Sequence, residues 1–275
     1  MKKTFFLTGS SRGLGRSICS AILQDGHQVV ATARQPGHLD DLVRRYGDRI
    51  LPVALDVTDF DAAKNAVKIA LDHFGRVDVV INNAGFANVG SVEDMPIAAI
   101  VAQLDTNFLG SVHVIKAVLP VLRQQGSGRI IQISSIGARI ATPGAAGYYA
   151  SKWALAGFIE SLAMEVGPLN IKVTAVEPGG MKTDFAESSS LTILPSNTAY
   201  DATAGATGKM MKSAGYLDSF AEPGSIAAVI MRVAELDEPP LRLLLGAATY
   251  AYGVGADQAR AQSDEKWKWL STVVD

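Results

Sequence analysis

Thr8-Gly9-Ser10-Ser11-Arg12-Gly13-Leu14-Gly15 follows the apolar run Thr4–Thr8 and opens a stretch of helical period near residues 14–25. A strand, a glycine turn and a helix in that order begin a βαβ unit. Glycine lets such a turn close tightly and lets the backbone approach a pyrophosphate, whose charge then sits on the helix N-terminus. Gly9, Ser11, Arg12, Gly13, Leu14 and Gly15 are therefore the first candidate cofactor contacts. A glycine-rich octapeptide alone is a weak signal. Its place at the head of a series of alternating elements gives it weight.

That series runs on to the far end of the chain. Short apolar runs at Gln28–Ala33, Ile50–Leu55, Val77–Ile81, Arg129–Ser134, Lys172–Val176 and Leu241–Leu245 read as strands. Segments of helical period lie between them, near 38–46, 59–74, 96–124, 148–166 and 224–236. Strands alternating with helices predict an α/β fold: one doubly wound parallel sheet with helices on both faces. The near-continuous apolar character of Val79-Val80-Ile81 and Ile130–Ile133 suits strands buried on both sides. Thr58 with Asp61 has the spacing of a cap at the start of the third helix. Residues 184–222 break the rhythm. They are rich in Ser, Thr, Ala and Gly, with scattered Phe185, Leu191, Ile193, Leu194, Tyr200, Met210 and Met211. A loop of that length in a compact domain is usually functional or disordered. Its apolar residues predict a lid inside one domain spanning 1–275.

Composition narrows the function classes. With 275 residues and a 48% apolar share, the chain can build a substantial core. A net charge of −2 without a basic block argues against nucleic acid as a partner. The one cysteine, Cys19, rules out an internal disulfide framework and reads as a core residue. No cluster of His, Asp and Glu has metal-ligand spacing, so no metal is expected. The start, MKKTFFLTGS, is too short in its apolar run for a secretory leader, and no apolar segment reads as a membrane span. The expectation is a cytoplasmic protein with no membrane partner.

The end of the second strand selects the cofactor. A site for NAD usually carries an acid there for the ribose 2′-hydroxyl. Here Ala31-Thr32-Ala33 is followed by Arg34. A guanidinium can grip a 2′-phosphate with two hydrogen bonds, and Arg12 can reach the same phosphate from the glycine turn. These residues predict NADP(H). Asp56, at the end of the third strand, can accept from an adenine amino group, and Thr58 as a cap would leave it available. Asn82-Asn83-Ala84-Gly85 ends the fourth strand, where an open α/β sheet binds ligands.

Tyr148 and Lys152 stand at i and i+4 on one helical face, and Ser135 lies thirteen residues before the tyrosine. A phenol is a poor acid or base at neutral pH, with a pKa near 10. A fixed ammonium nearby lowers that value by roughly 1–3 units because it favours the phenolate. Such a tyrosine can exchange a proton with a carbonyl or an alcohol. Tyr149 is also near Lys152, and Ser134 and Ser135 would face opposite sides of a strand. His113, in an apolar helical pattern, reads as a core or interface residue, and Trp267 and Trp269 as packing or interface.

Together these motifs resemble the short-chain dehydrogenase/reductase family, well over about residues 4–183 and loosely beyond. TGSSRGLG is similar to its TGxxxGxG motif at Gly9, Gly13 and Gly15, and NNAG matches at Asn82–Gly85. LDVTD places Asp56, with Val57 beside it, at the family's adenine contact. The resemblance implies a Rossmann-like sheet of about seven strands in the order 3-2-1-4-5-6-7. It implies Asn107, Ser135, Tyr148 and Lys152 as the catalytic set, its YxxxK spacing selecting Tyr148 and the thirteen-residue spacing Ser135. It implies that Lys152 also holds the nicotinamide ribose, that Asn107 props a water linking Lys152 to solvent, and that Pro178, Gly179 and Thr183 lie beside the nicotinamide. Reversible hydride transfer to a small carbonyl or alcohol substrate follows, in a homodimer or homotetramer. Phe86, Met181 and Phe185 suggest a moderately hydrophobic substrate. Two other readings stay open from sequence: an NAD(H)-linked alcohol dehydrogenase, and a non-catalytic NADP(H)-binding sensor.

Overall fold

Strand β1 (Thr4–Thr8) turns Phe5 and Leu7 to one face and Phe6 to the other, and all three are fully buried. A strand apolar on both faces must lie between two layers. The computed structural model describes residues 2–182, 191–218 and 220–274. After β1 come α1 (Gly13–Gln24), β2 (Gln28–Ala33), α2 (Asp40–Tyr46), β3 (Ile50–Ala54), α3 (Phe60–Phe74), β4 (Val79–Asn82) and β5 (Ala87–Val89). The middle of the chain holds α4 (Ile97–Leu104), α5 (Gly110–Gln125), β6 (Gly128–Ile133), α6 (Ala146–Val166) and β7 (Ile171–Pro178). It ends with β8 (Leu191–Ile193), α7 (Ala204–Met211), α8 (Pro223–Val233), β9 (Arg242–Leu245) and α9 (Ala247–Ser271).

The main sheet has seven strands in the order β3-β2-β1-β4-β6-β7-β9, all parallel. Setting aside the short β5 and β8, this is the expected 3-2-1-4-5-6-7 order. Alternate residues feed two cores. Phe5, Leu7, Val29, Ala31, Val79, Ile81 and Ile131 meet Ile18, Ile22 and Leu23 of α1 and Ile226 and Ile230 of α8. Phe6, Val30, Val80 and Ile130 meet Ala66 and Val67 of α3, Ile115 and Val118 of α5 and Ile159 of α6. Each such Val, Leu, Ile or Phe side chain contributes about 1.5–3 kcal/mol on burial.

Five expectations change. The cap of α3 is Asp59, whose side chain accepts from Ala62 N at 2.9 Å, and not Thr58, whose hydroxyl binds Asp56. The helix foreseen near 96–124 contains a π turn at Asp105–Leu109 between α4 and α5. The continuous run Ile97–Gln125 is long and apolar enough by composition to cross a membrane, which the sequence reading did not register. Its α5 part buries Val114, Ile115, Val118 and Leu122 against the sheet, as a core helix does. The segment read as an irregular lid carries β8, paired in parallel with β5, and α7. Finally, α9 had no counterpart in the sequence reading. Gly253 is its one buried residue, and Trp267 and Trp269 are exposed rather than packed on the body.

Candidate active site

The strand order reverses between β1 and β4, so their carboxyl ends open a crevice there. The two ends are stitched together. Thr8 Oγ1 accepts from Asn83 N at 2.9 Å and Ala84 N at 3.1 Å. Asn83 Nδ2 donates back to Thr8 O at 3.0 Å and Gly9 O at 3.1 Å. Ser10, fully buried, donates from both N and Oγ to Thr32 O at 3.0 Å, which ties the turn to β2. The Asn83 side chain, foreseen as a cofactor contact, thus faces the turn. Thr8 and Ser10 were not foreseen as site residues, although both lie inside the quoted octapeptide.

The glycines are required by space. A Cβ on Gly15 would fall 2.1 Å from Gly9 O and 2.5 Å from Asn83 Nδ2, and Gly9 has φ +65°. Arg12 occupies the cap position of α1 without a side-chain cap bond, and the first turn holds no acid. Its N–H groups and helix dipole are therefore directed at the crevice. Leu14 and Ser11 complete the turn, with Leu14 buried.

Arg34 is exposed just past β2. Asp56 is held below the ordinary carboxylate value, first by the Thr58 backbone N–H at 3.0 Å, then by the Thr58 hydroxyl at 2.8 Å and the Arg34 charge. Both Thr58 donors fall on Oδ1, so Thr58 orients Asp56 instead of leaving it unengaged. Val57 is buried, and its carbonyl accepts from His113 Nδ1 at 2.9 Å. That bond fixes the tautomer and makes His113 a structural residue, as the sequence suggested.

Across the crevice, α6 presents Ser151, Lys152, Leu155, Ile159, Leu162 and Val166 along one buried stripe. Lys152 is buried because it shares the core-facing side of its helix. Its Nζ donates to Ile133 O at 3.2 Å and stands 5.7 Å from the centre of the Tyr148 ring. The Ser135 hydroxyl lies beside the Tyr148 phenol and favours its ionised form, and Ser135 Oγ accepts from Gly137 N at 3.0 Å. Ser135, Tyr148 and Lys152 are thus brought together. Tyr149 points elsewhere and shares a 2.7 Å hydrogen bond with Thr142. Burial pushes the Tyr148 phenol up to about 12, which the neighbouring Ser135 hydroxyl opposes, and pushes Lys152 down to about 8. Desolvation of the phenol, and not the neighbouring ammonium, is the dominant influence on it.

Asn107 sits in the π turn and is buried. Its Oδ1 accepts from Phe86 N at 2.9 Å, and its Nδ2 donates to Phe86 O at 2.9 Å and Ser151 Oγ at 3.1 Å. Ser151 donates to Tyr148 O at 2.7 Å. Both ends of the Asn107 amide are engaged in holding the Gly85–Phe86 strand end and the Tyr148 turn. Ala84 and Gly85 line the same strand end, where a Cβ on Gly85 would meet Asn107 Oδ1 at 3.1 Å. Pro178 closes β7, and a Cβ on Gly179 would meet Thr249 Oγ1 of α9 at 2.2 Å. Thr183 and Phe185 lie outside the described residues. Cys19 is buried with its thiol pushed up to about 12, so it is an inert core residue.

The model of the short chain dehydrogenase family matches residues 3–193. The chain belongs to the short-chain dehydrogenase family. Oxidoreductase BOA17 of Botryotinia fuckeliana is 48% identical over 98% of both chains. The crystal structure of a short-chain dehydrogenase from Streptomyces avermitilis superposes with a TM-score of 0.92 at 33% identity, covering 100% of this chain and 98% of that one. An alcohol dehydrogenase from Thermococcus sibiricus, solved with 5-hydroxy-NADP, gives a TM-score of 0.73 at 25% identity, covering 89% and 96%. Membership in the short-chain dehydrogenase family makes the chain an oxidoreductase acting on small molecules.

Proposed function

We propose that this short-chain dehydrogenase uses NADP(H) to move a hydride between the nicotinamide and the carbon of a carbonyl or secondary alcohol. One observation carries the reading: Ser135, Tyr148 and Lys152 converge at the carboxyl ends of β6 and its neighbours, beside a glycine turn that has no room for a methyl group. The fit to a dinucleotide rests on that turn, on its place at the N-terminus of α1 with no acid in the first helical turn, and on Arg34 at the place of the missing acid. The NADP analogue held by the Thermococcus enzyme supports the same choice.

When bound, the cofactor supplies or accepts the hydride. Tyr148 gives its proton to the carbonyl oxygen in reduction and takes one from the alcohol in oxidation. Ser135 hydrogen-bonds the same oxygen and stabilises its developing charge. Lys152 is held near the phenol by Ile133 O and favours the phenolate when protonated. Asn107 positions Tyr148 through Ser151. Half-buried Phe86 and Met181 suit a moderately apolar carbonyl, and the described residues 191–218 are read as its cover.

A panel of ketones and aldehydes, followed by loss of NADPH absorbance, tests the proposal. Turnover with NADPH, and a greater loss of NADPH than of NADH binding in Arg34→Ala, is the expected result. Preference for NADH removes the cofactor assignment. Tight NADPH binding without turnover across the panel removes the catalytic one.

A further inference from the structure

Glu177 is fully buried one residue before Pro178. A carboxylate in such a place needs paired charge. Its Oε2 meets Arg139 Nε at 2.6 Å and its Oε1 meets Arg242 Nε at 2.6 Å. Each guanidinium reaches further. Arg139 Nη1 pairs with Asp257 of α9 at 2.5 Å. Arg242 Nη1 pairs with Glu160 of α6 at 2.9 Å, and its Nη2 donates to Ala138 O at 3.3 Å. Arg260 of α9 pairs with Asp257, donates to Arg139 O at 2.6 Å and lies over the Trp153 ring at 5.2 Å. Three cations thus balance three anions.

The strands of this network meet at one place, the turn that begins at Ser135. Two of its carbonyls, on Ala138 and Arg139, are held by Arg242 and Arg260, and the Arg139 side chain is held by Glu177. Glu177 also belongs to the strand that runs into Pro178–Gly179. It is therefore the shared anchor of the wall that carries Ser135 and the wall that follows β7. A buried ion pair is weak evidence for stability, because well-packed apolar residues often serve as well. Its directional bonds fix geometry instead.

We infer that Glu177 is a positioning residue: through Arg139 and Arg242 it sets the place of the Ser135 hydroxyl against Tyr148. The inference rests on the reading of the crevice as the hydride-transfer site. A displacement of about 1 Å at a reacting group can lower the rate by about a hundredfold.

The test is Glu177→Gln in the full chain. It keeps the shape but leaves two guanidiniums facing one neutral amide. The expected result is a kcat for NADPH-driven carbonyl reduction lower by roughly tenfold to a hundredfold, with NADPH binding within about threefold of wild type. Backbone amide exchange at residues 135–139 should quicken while the turn at 9–15 stays protected. Asp257→Asn, which loosens Arg139 from its partly exposed end, should lower kcat in the same direction by a smaller factor, and it decides the question if Glu177→Gln does not fold. Unchanged kcat in the folded variants overturns the inference. So does a loss of kcat and NADPH binding together with faster exchange throughout the chain, which is a structural effect only. If the wild-type protein turns over no carbonyl, the reading of the crevice fails, and amide exchange at 135–139 still reports whether Glu177 anchors the turn.

Discussion

A methyl group added at Gly15 would land 2.1 Å from a carbonyl oxygen, whereas from Gln258 to Val274 every residue of the terminal helix and its end is exposed. One stretch is determined by its neighbours on all sides. The other is held to the body near Gly253 and through Asp257 and Arg260, and then runs outward. The difference shows where this chain has specified its chemistry. The site elements are locked by short-range bonds between strand ends, and α9 meets them only along its N-terminal half.

The contrast can be broken most directly at Tyr148. Tyr148→Phe should lower kcat by about 10²–10⁴, while Tyr149→Phe should stay near wild type in steady-state assays. The reverse pattern would move the proton to the other ring. Next comes Lys152, whose charged form is disfavoured by burial. Its folded pKa of about 8 lies below the ordinary lysine value of 10.5. Between those values the unfolded chain binds a proton that the folded chain does not, so the stability of the wild type rises with pH through that window. Lys152→Met lacks that rise. Its stability relative to wild type should be most favourable below pH 8 and decline by about 3 kcal/mol toward pH 10.5, as read by urea unfolding at several pH values. Tyr148, raised to about 12, works in the opposite sense above pH 10, so measurements from pH 7 to 10 isolate the lysine.

Smaller effects sharpen the same comparison. Arg34→Ala should cost about 1.5–3 kcal/mol of NADPH affinity and little NADH affinity, measured by calorimetric titration. Gly15→Ala should lose about 1–3 kcal/mol of stability and weaken dinucleotide binding in thermal melts with and without NADPH. At the other extreme, Trp269→Ala should change the unfolding free energy by less than about 0.5 kcal/mol. A large loss there would mean that α9 is supported in a way the exposed ring does not suggest.

Most of the sheet was legible because its strands are short, apolar on both faces and separated by helical periods. The Tyr148–Lys152 pair was legible because i,i+4 spacing on a helix is a local property. Other features leave no local mark. β5 and β8 are three residues each and pair across about a hundred positions, so no periodicity announces them. α9 carries no continuous apolar stripe, since almost nothing on it is buried. Thr58 and Asp59 are both good caps by type, and only the geometry around Ala62 separates them. The partners of Glu177 are scattered from Arg139 to Arg242, each an ordinary surface charge when taken singly.

Residues 198–218 are flanked by fixed points on both sides. Met181 bridges Ala221, Lys182 N donates to Ala221 O, and Leu191–Ile193 pair with Ala87–Val89. Further on, Ser196 accepts from Ser91 N and Asn197 N donates to Asp94. A stretch moored at both shores can be exchanged like a cartridge without disturbing the floor beneath it. On the proposed reading, grafts of residues 198–218 from related chains should transfer substrate preference, measured across a carbonyl panel with NADPH, while leaving the crevice residues in place.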